Sequence, residues 1–276
     1  MNLNTIVEVK RPTSADQVTE WRDGYAWLAG GTWLFSEPQV ATDTLIDLER
    51  MGWPALTPSR DGLEIAATCK IVELHDFKGP PAWRAVPLFD QCIDAFLMSF
   101  KIWNAATVGG NLCMSLPAGA MISLTAALEG VCTLWPRSTQ ENGGKPREVA
   151  VVDFVTGNHQ NVLKKGELLR SIHLPATALA KRYAMRQASL THLGRSAVLI
   201  IGTVGDKGAD FLLTITAATP RPVQLRFAEL PSAADLLRAI DERLSLGAYF
   251  EDVHGSTAYK RHVTRYLAEQ IRAELA

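Results

Sequence analysis

The sequence lacks any excess of one charge, and it lacks a long apolar run. Its 276 residues include 28 Lys and Arg against 29 Asp and Glu, which leaves a formal net charge of −1. Because a nucleic-acid-binding protein normally carries a basic surface and a readable motif, that class is excluded. The opening segment MNLNTIVEVK has neither the basic nor the apolar part of a signal peptide, and no apolar run reaches the length of a membrane span. We therefore expect a cytoplasmic protein.

Cysteine is also scarce, and its spacing excludes the common metal sites. The four cysteines are Cys69, Cys92, Cys113 and Cys132, and no two of them form a C-x-x-C pair. The six histidines are scattered without ligand spacing. We expect four reduced thiols and no metal site in this chain.

What remains is a composition suited to a globular protein with a large core. Hydrophobic residues make up 47% of the chain and charged residues 21%, and the length allows two domains. Strands and helices are mixed up to Pro175, including a helix after Thr13 or Ser14, a buried helix over residues 83–103 and a polar hairpin over 138–149. Three strand-like runs and two helices follow Pro175, so the pattern predicts an α+β fold with a boundary near this residue.

Two glycine runs stand out: LAGGTWLF at 28–35 and WNAATVGGNLCMSLPAGA at 103–120. Adjacent glycines permit a positive φ and let backbone N–H groups approach an anion closely, so a phosphate could be bound without a lysine. Each pair is equally compatible with an ordinary turn. Neither run matches the P-loop or the G-x-G-x-x-G motif, so the runs alone indicate nucleotide binding only weakly.

Taken together, however, the two runs resemble the two FAD loops of the flavin-binding subunits of molybdenum hydroxylases, the group of xanthine dehydrogenase and carbon monoxide dehydrogenase. AGGTWL is similar to the first loop and NAATVGGNLCMSLPAG to the second. The resemblance continues in GLEIAATCKIVEL, GELLRSIHLP and DVHGSTAYKRHVTRYL, in the family's order and over almost the whole chain.

The resemblance implies a two-lobed, PCMH-type FAD-binding domain at residues 1–175, with lobes of about 1–55 and 56–175. A small α+β domain with a three-stranded antiparallel sheet and helices would follow at 176–276. FAD would lie between the lobes. The partners would be a small subunit with two 2Fe-2S clusters and a large molybdopterin subunit. Electrons would pass from the clusters through FAD to NAD, oxygen or a carrier, and no side chain would be catalytic.

The resemblance also implies a set of cofactor-binding residues. The first loop would place its amides on the pyrophosphate, and three residues at a helix end would line the adenosine and flavin pocket. One leucine would contact the isoalloxazine, and one arginine would offset charge on reduced flavin. In chain order these residues are Ala29, Gly30, Gly31, Thr32, Trp33, Leu34, Leu97, Met98, Ile102, Thr107, Gly109, Gly110, Asn111, Leu169 and Arg186.

Three positions depart from the family pattern. Trp33 and Ala120 stand where the family often has Asp, and Trp103 stands where it commonly has Arg. The two tryptophans are either stacking platforms for the cofactor or packing residues. The loss of Asp at Ala120 keeps open a scaffold subunit that has lost FAD, and an FAD oxidoreductase without partners is the other alternative.

Overall fold

The chain begins with a small lobe built on three short parallel strands. The computed structural model describes residues 3–14, 17–18, 21–136 and 144–276. In it β1 (Glu8–Lys10), β2 (Tyr25–Leu28) and β3 (Thr44–Asp47) form a sheet with β3 in the centre and fully buried. The helix predicted after Thr13 lies partly outside the described residues. Because the strands are parallel, the first glycine run begins at the carboxyl end of β2, the edge at which open α/β sheets bind ligands.

A five-stranded antiparallel sheet carries the larger lobe. Its spatial order is β4-β5-β10-β6-β7, and a two-stranded sheet of β8 and β9 lies beside it. Of the predicted polar hairpin, residues 138–143 lie outside the described residues, and the flanking strands β6 and β7 pair with each other. The strand bounds are β4 Leu56–Pro58, β5 Gly62–Ala66, β6 Val131–Trp135, β7 Arg147–Ala150, β8 Val155–Gly157, β9 Gln160–Asn161 and β10 Leu168–Pro175.

Short helices pack against this sheet, and one predicted helix is broken in two. The single helix expected over residues 83–103 is wrong: the chain leaves the helix after Asp94 and re-enters it at Phe100. Between them Leu97 adopts φ 55°, a left-handed conformation that no helix can contain. The helices of this part of the chain are α1 Ile71–His75, α2 Leu88–Asp94, α3 Phe100–Trp103, α4 Val108–Met114, α5 Ala120–Ala127, α6 Val151–Phe154 and α7 Ala176–Leu179.

The C-terminal part is an antiparallel sheet covered by two helices. The sheet has four strands in the order β11-β12-β13-β14, not the three that were predicted. The additional strand alternates Val223, Leu225 and Phe227 with polar residues, which is the pattern of a half-buried strand. The bounds are β11 Arg182–Ala188, β12 Val198–Val204, β13 Ala209–Thr216, β14 Val223–Glu229, α8 Ala233–Arg243 and α9 Thr257–Leu275.

Helix α5 joins the two parts because it is buried on every side. All eight of its residues are buried, and it contacts α2 and α4 as well as β12 and β13. Strand β12 is likewise buried throughout. Its Leu199 and Ile201 belong to the core of the larger lobe, whereas Val198 and Ile200 belong to the core under α8 and α9. Because successive side chains of a strand point to opposite faces, β12 contributes residues to both hydrophobic cores.

Four charged side chains form ion pairs where α5 and the C-terminal part of the chain meet. Lys181 Nζ donates to Glu129 Oε1 at 2.7 Å and to Asp210 Oδ2 at 2.6 Å, and Arg226 pairs with the same two acids. Glu129 follows α5, whereas the other three belong to the C-terminal part. Burial alone would raise the pKa of Asp210, but hydrogen bonding and charge from Lys181 and Arg226 outweigh it, and this pKa is lowered. We refer to these residues as the charged quartet.

The charged quartet predicts a loss of stability in acid. Because the folded pKa of Asp210 lies below its unfolded value near 4, its contribution is present above that value and disappears as the pH falls through the folded pKa. The free energy of unfolding of Asp210→Asn should therefore fall less steeply than that of the wild type between pH 5 and pH 3. These two values lie about one pH unit above and below the ordinary Asp pKa, and urea denaturation at each pH gives the measurement.

Lys181→Met should lower the free energy of unfolding by about 1–3 kcal/mol at pH 7, because it removes the hydrogen-bond donor to both acids.

The control is Asp61→Asn, since the Asp61 side chain is 78% exposed and, among the described residues, pairs only with the surface residue Arg60. That variant should keep the wild-type pH dependence. An unchanged slope in Asp210→Asn would show that the quartet does not hold the junction.

Candidate functional site

The two glycine runs, distant in sequence, touch each other in the structure. Gly30 lies two residues after the end of β2, and a Cβ built on it would collide with the carbonyl oxygen of Ala105 and lie 3.2 Å from Cα of Ala106. No other residue type fits this contact. Gly30 therefore brings the edge of the small lobe against the start of the second run.

The first run presents a row of unused backbone donors. Gly31 has φ +69°, and the turn is closed by the N–H of Phe35, which donates to Gly31 O at 2.8 Å. Within the described ranges, none of the five amides from Gly30 to Leu34 donates to a protein acceptor. Consecutive donors of this kind form a site for an anion, since half-buried N–H groups need a partner. This arrangement fits the pyrophosphate contact predicted for Ala29 to Leu34.

The second run uses its amides differently from the prediction. The N–H of Gly109 donates to Ala67 O at 3.0 Å, and that of Gly110 donates to Thr107 Oγ1 at 3.0 Å. Both glycines lie in the first turn of α4 without a positive φ, so the left-handed conformation expected at Gly110 is wrong. The physical reason is that Thr107 caps α4 and places both residues inside the helix.

The two glycines of the second run have different surroundings: Gly109 is closely packed, whereas the space beside Gly110 is open. A Cβ at Gly109 would lie 2.5–2.6 Å from atoms of Ala67, so a side chain there would push α4 away from the end of β5. Gly110 is exposed, and its Cβ would meet only Thr107 Oγ1, at 2.8 Å. Gly109 is a packing residue, whereas Gly110 leaves the surface above the loop clear.

Asn111 and Ala120 meet at the start of α5. Asn111 Oδ1 accepts the N–H of Met121 at 3.1 Å, whereas its Nδ2 has no acceptor in the part of the chain that the structure describes. Asn111 thus caps α5 and keeps a donor free. Ala120 is fully buried, so the Asp of the family pattern would have to bury a carboxylate here. An uncharged alanine avoids the free-energy cost of burying a carboxylate at this position.

The predicted apolar residues divide into accessible and buried ones. Leu97 is 42% and Ile102 37% exposed, and Met98 is half-buried, so these three can line a pocket. Phe100 between them is 68% exposed and was missed; its position inside the same short segment was the available signal. Leu169 is 1% exposed in the core of the larger lobe. Its side chain does not reach the surface of this chain, and its contact with the isoalloxazine stays a prediction.

Arg186 points away from the larger lobe. Its neighbours Tyr183 and Met185 face α2, where Gln91 Nε2 donates to the Tyr183 hydroxyl at 3.1 Å. Because side chains alternate along a strand, Arg186 lies on the other face, where it pairs with Glu274 of α9. The flavin contact expected of Arg186 is therefore not supported by its position.

The two unusual tryptophans have different environments. Trp33 is 39% exposed and its ring lies 5.8 Å from that of His159. The ring centre of Trp103 lies 5.2 Å from that of His75. The Nε1 of Trp103 is buried without a hydrogen-bond partner among the described residues. A buried donor of this kind costs free energy until an acceptor is supplied. An accepting group on a ligand would supply it.

The thiols show no sign of reactivity. All four cysteines are free, and burial raises the pKa of Cys113 to about 12 and those of the other three further. A thiol with a raised pKa is a poor nucleophile and a poor metal ligand. Across the described ranges, no three His, Cys, Asp or Glu side chains lie together as a metal site would require. Of the helices in the same ranges, none has both the length and the apolar character needed to cross a bilayer.

Comparison with known proteins agrees with this geometry. Residues 5–177 match the family model described as the FAD binding domain in molybdopterin dehydrogenase. Chains from solved structures share the fold over nearly their whole length. A chain of quinoline 2-oxidoreductase from Pseudomonas putida 86 has TM-score 0.77 and 17% identity, covering 97% of this chain and 96% of that one. A search of curated proteins gave no match.

Two carbon monoxide dehydrogenases show the same similarity. The one from Hydrogenophaga pseudoflava has TM-score 0.78 at 17% identity, with 96% of each chain covered. The one from Oligotropha carboxidovorans has TM-score 0.74 at 19% identity, with 96% of this chain and 95% of that one covered. At this level of identity the likeness establishes the fold.

The glycine-run site and the shared fold define an FAD-binding flavoprotein. Since the family model covers well over half of the sequence, this chain belongs to the family of FAD-binding domains of molybdopterin dehydrogenases. Its cofactor is FAD, and it is the FAD-binding component of an oxidoreductase of the molybdopterin dehydrogenase type.

The open space above Gly110 gives a direct test of the second run. Gly110→Val would fill that space and displace the Thr107 hydroxyl, so we expect loss of most bound FAD, read from the flavin absorption of the purified protein. The loss of the cap should lower the free energy of unfolding by only about 1 kcal/mol. Gly247→Val is the matched control, since Gly247 is exposed and a Cβ there meets no atom of the described residues within 4 Å. Full flavin content in a folded Gly110→Val protein would contradict a cofactor role for this surface.

Proposed function

We propose that this chain is the FAD-binding electron-transfer subunit of a heterotrimeric molybdenum hydroxylase. In this proposal it receives electrons from the 2Fe-2S clusters of a small subunit and passes them through FAD to NAD, oxygen or a carrier. The observation that supports it most strongly is the row of five unused amides from Gly30 to Leu34, held against the second glycine run in a chain of this family.

Neutral groups of this chain suffice to hold a dinucleotide. The amides from Gly30 to Leu34 would bind the pyrophosphate without a lysine, because each N–H directs a partial positive charge at the anion. Thr107 Oγ1 already accepts one hydrogen bond and keeps its own proton to donate. Asn111 Nδ2 and Trp103 Nε1 are further donors without an acceptor among the described residues. These groups fit FAD.

No side chain here needs to act as an acid or a base. Bound FAD supplies a group that accepts and releases electrons, and the protein contributes position and electrostatics. Accessible Leu97, Phe100 and Ile102 would shield part of the cofactor from water, and the glycine runs would fix its pyrophosphate. The chain thus acts by holding FAD in place.

The proposed partners are the iron–sulfur subunit and a large molybdopterin subunit. Several large apolar side chains are accessible in this chain, among them Phe100 and, in the loop after β11, Leu190 at 56% and Leu193 at 77% exposed. Accessible apolar side chains of this size suit a subunit interface. We place the assembly in the cytoplasm, where four free thiols remain reduced.

Bound FAD should be non-covalent, at about one per chain, since the site consists of hydrogen-bond donors and desolvation raises the pKa of the half-buried Cys113 thiol. Acid precipitation of the purified protein should release all the flavin into the supernatant, where absorbance and chromatography identify it as FAD. Flavin that stays in the pellet would contradict the proposal, as would a folded protein without flavin.

Electron transfer should depend on the partner subunits. The chain alone should not reduce an acceptor dye with the substrate of the assembled enzyme. Adding both partner subunits should restore turnover and give one complex on gel filtration. Omitting either partner is the control. Oxidation of an organic substrate by this chain alone, or a failure to bind either partner, would favour a flavoprotein that works without them.

A further inference from the structure

Lys260 in α9 is a fully buried lysine that the proposed function has not used. Its side chain has no accessible surface, and its Nζ donates to Asp252 Oδ1 at 2.9 Å and to Ala217 O at 3.3 Å. The ring of Phe250 lies 5.5 Å from the same nitrogen. Lysine is rarely buried without a partner, because removing an ammonium group from water is costly. The cost is offset here by these few contacts.

The carbonyl that Lys260 binds belongs to a residue in an unfavourable conformation. Ala217 has φ 63°, in the left-handed region that a residue with a Cβ seldom adopts. Its own N–H donates to Pro117 O at 2.8 Å. Both backbone groups of Ala217 are therefore bonded, one to α9 and the other to the second glycine run.

Pro117 lies in the turn that sets the angle between α4 and α5. Gly119 N–H donates to Leu116 O at 2.9 Å and closes this turn. One residue before Ala217, Thr216 Oγ1 lies 2.7 Å from Ser123 Oγ of α5. The end of β13 thus binds both the turn and the helix behind it. Asn111 caps the same helix from α4.

We propose that Lys260 is a positioning residue for FAD, acting through Ala217 and Pro117 on the second glycine run. The inference rests on the FAD site described above. Lys260 holds the left-handed Ala217, Ala217 holds the Pro117 turn, and the turn fixes α4 with Thr107 and Gly110. In this way a residue near the end of the chain controls the cofactor loop without touching the cofactor.

The test compares FAD affinity with stability in the full chain. Lys260→Met removes the donor to Ala217 O and should weaken FAD binding by about tenfold, which corresponds to about 1.4 kcal/mol. Affinity is measured by titrating the FAD-free protein with FAD and following the quenching of flavin fluorescence. Lys260→Arg keeps a cation and donors of similar reach and should restore affinity to within about threefold of wild type.

Ile271→Ala is the matched control, because Ile271 is fully buried on the same helix, eleven residues beyond Lys260. It should lower the free energy of unfolding, because it leaves a cavity in the core, and should leave FAD affinity unchanged. Equal weakening by Ile271→Ala and Lys260→Met would reduce Lys260 to a structural residue and overturn the proposal. Unchanged affinity in Lys260→Met would overturn it too.

If Lys260→Met does not fold, Lys260→Gln carries the test. Its side chain is shorter and uncharged, so it remains polar beside Asp252 without the reach to Ala217 O. The same tenfold weakening, again about 1.4 kcal/mol, supports the proposal, and full affinity overturns it. A wild-type chain that binds no FAD would instead contradict the FAD site itself, so the two failures are distinguishable.

Discussion

The contact between Gly30 and the Ala105 carbonyl is the constraint on which the cofactor site depends. Two lobes with separate sheets meet there at van der Waals distance, and the contact exists only because Gly30 has no side chain. A second contact supports it: Trp27 Nε1, on the preceding strand, donates to Glu167 O of the larger lobe at 3.1 Å. With β2 anchored in this way, the amides that follow it are held beside the second run and remain available for a ligand.

The resemblance and the two glycine runs predicted the family and the cofactor, whereas the contact between the two runs appears only in the structure. What the sequence did not show is that the two Gly-Gly pairs differ at their second glycine. Gly30 and Gly109 both allow close contact with the backbone of another segment, whereas Gly31 is left-handed and Gly110 is helical. That difference is set by a tertiary contact and by the cap at Thr107, and neither can be read from the local pattern.

The errors in secondary structure have similar causes. No helix-breaking residue marks Leu97, so the break between α2 and α3 was not visible in the periodicity. Strand β14 did carry a readable alternation and was overlooked. The flavin contacts predicted for Arg186 and Leu169 come from the resemblance of segments, which indicates a strand but not the face that each side chain occupies, and they stay predictions. A register error of one residue is enough to move a side chain to the other face.

The enclosure of α5 has a consequence for how the chain is made. This apolar helix emerges from the ribosome long before β12 and β13, the strands that cover one of its sides. At about 5–20 residues per second, the gap lasts several seconds, during which a helix without a polar face is unprotected. The side of α5 that β12 and β13 cover therefore stays accessible until the C-terminal sheet has been translated, although most of the core of the larger lobe has been made by then.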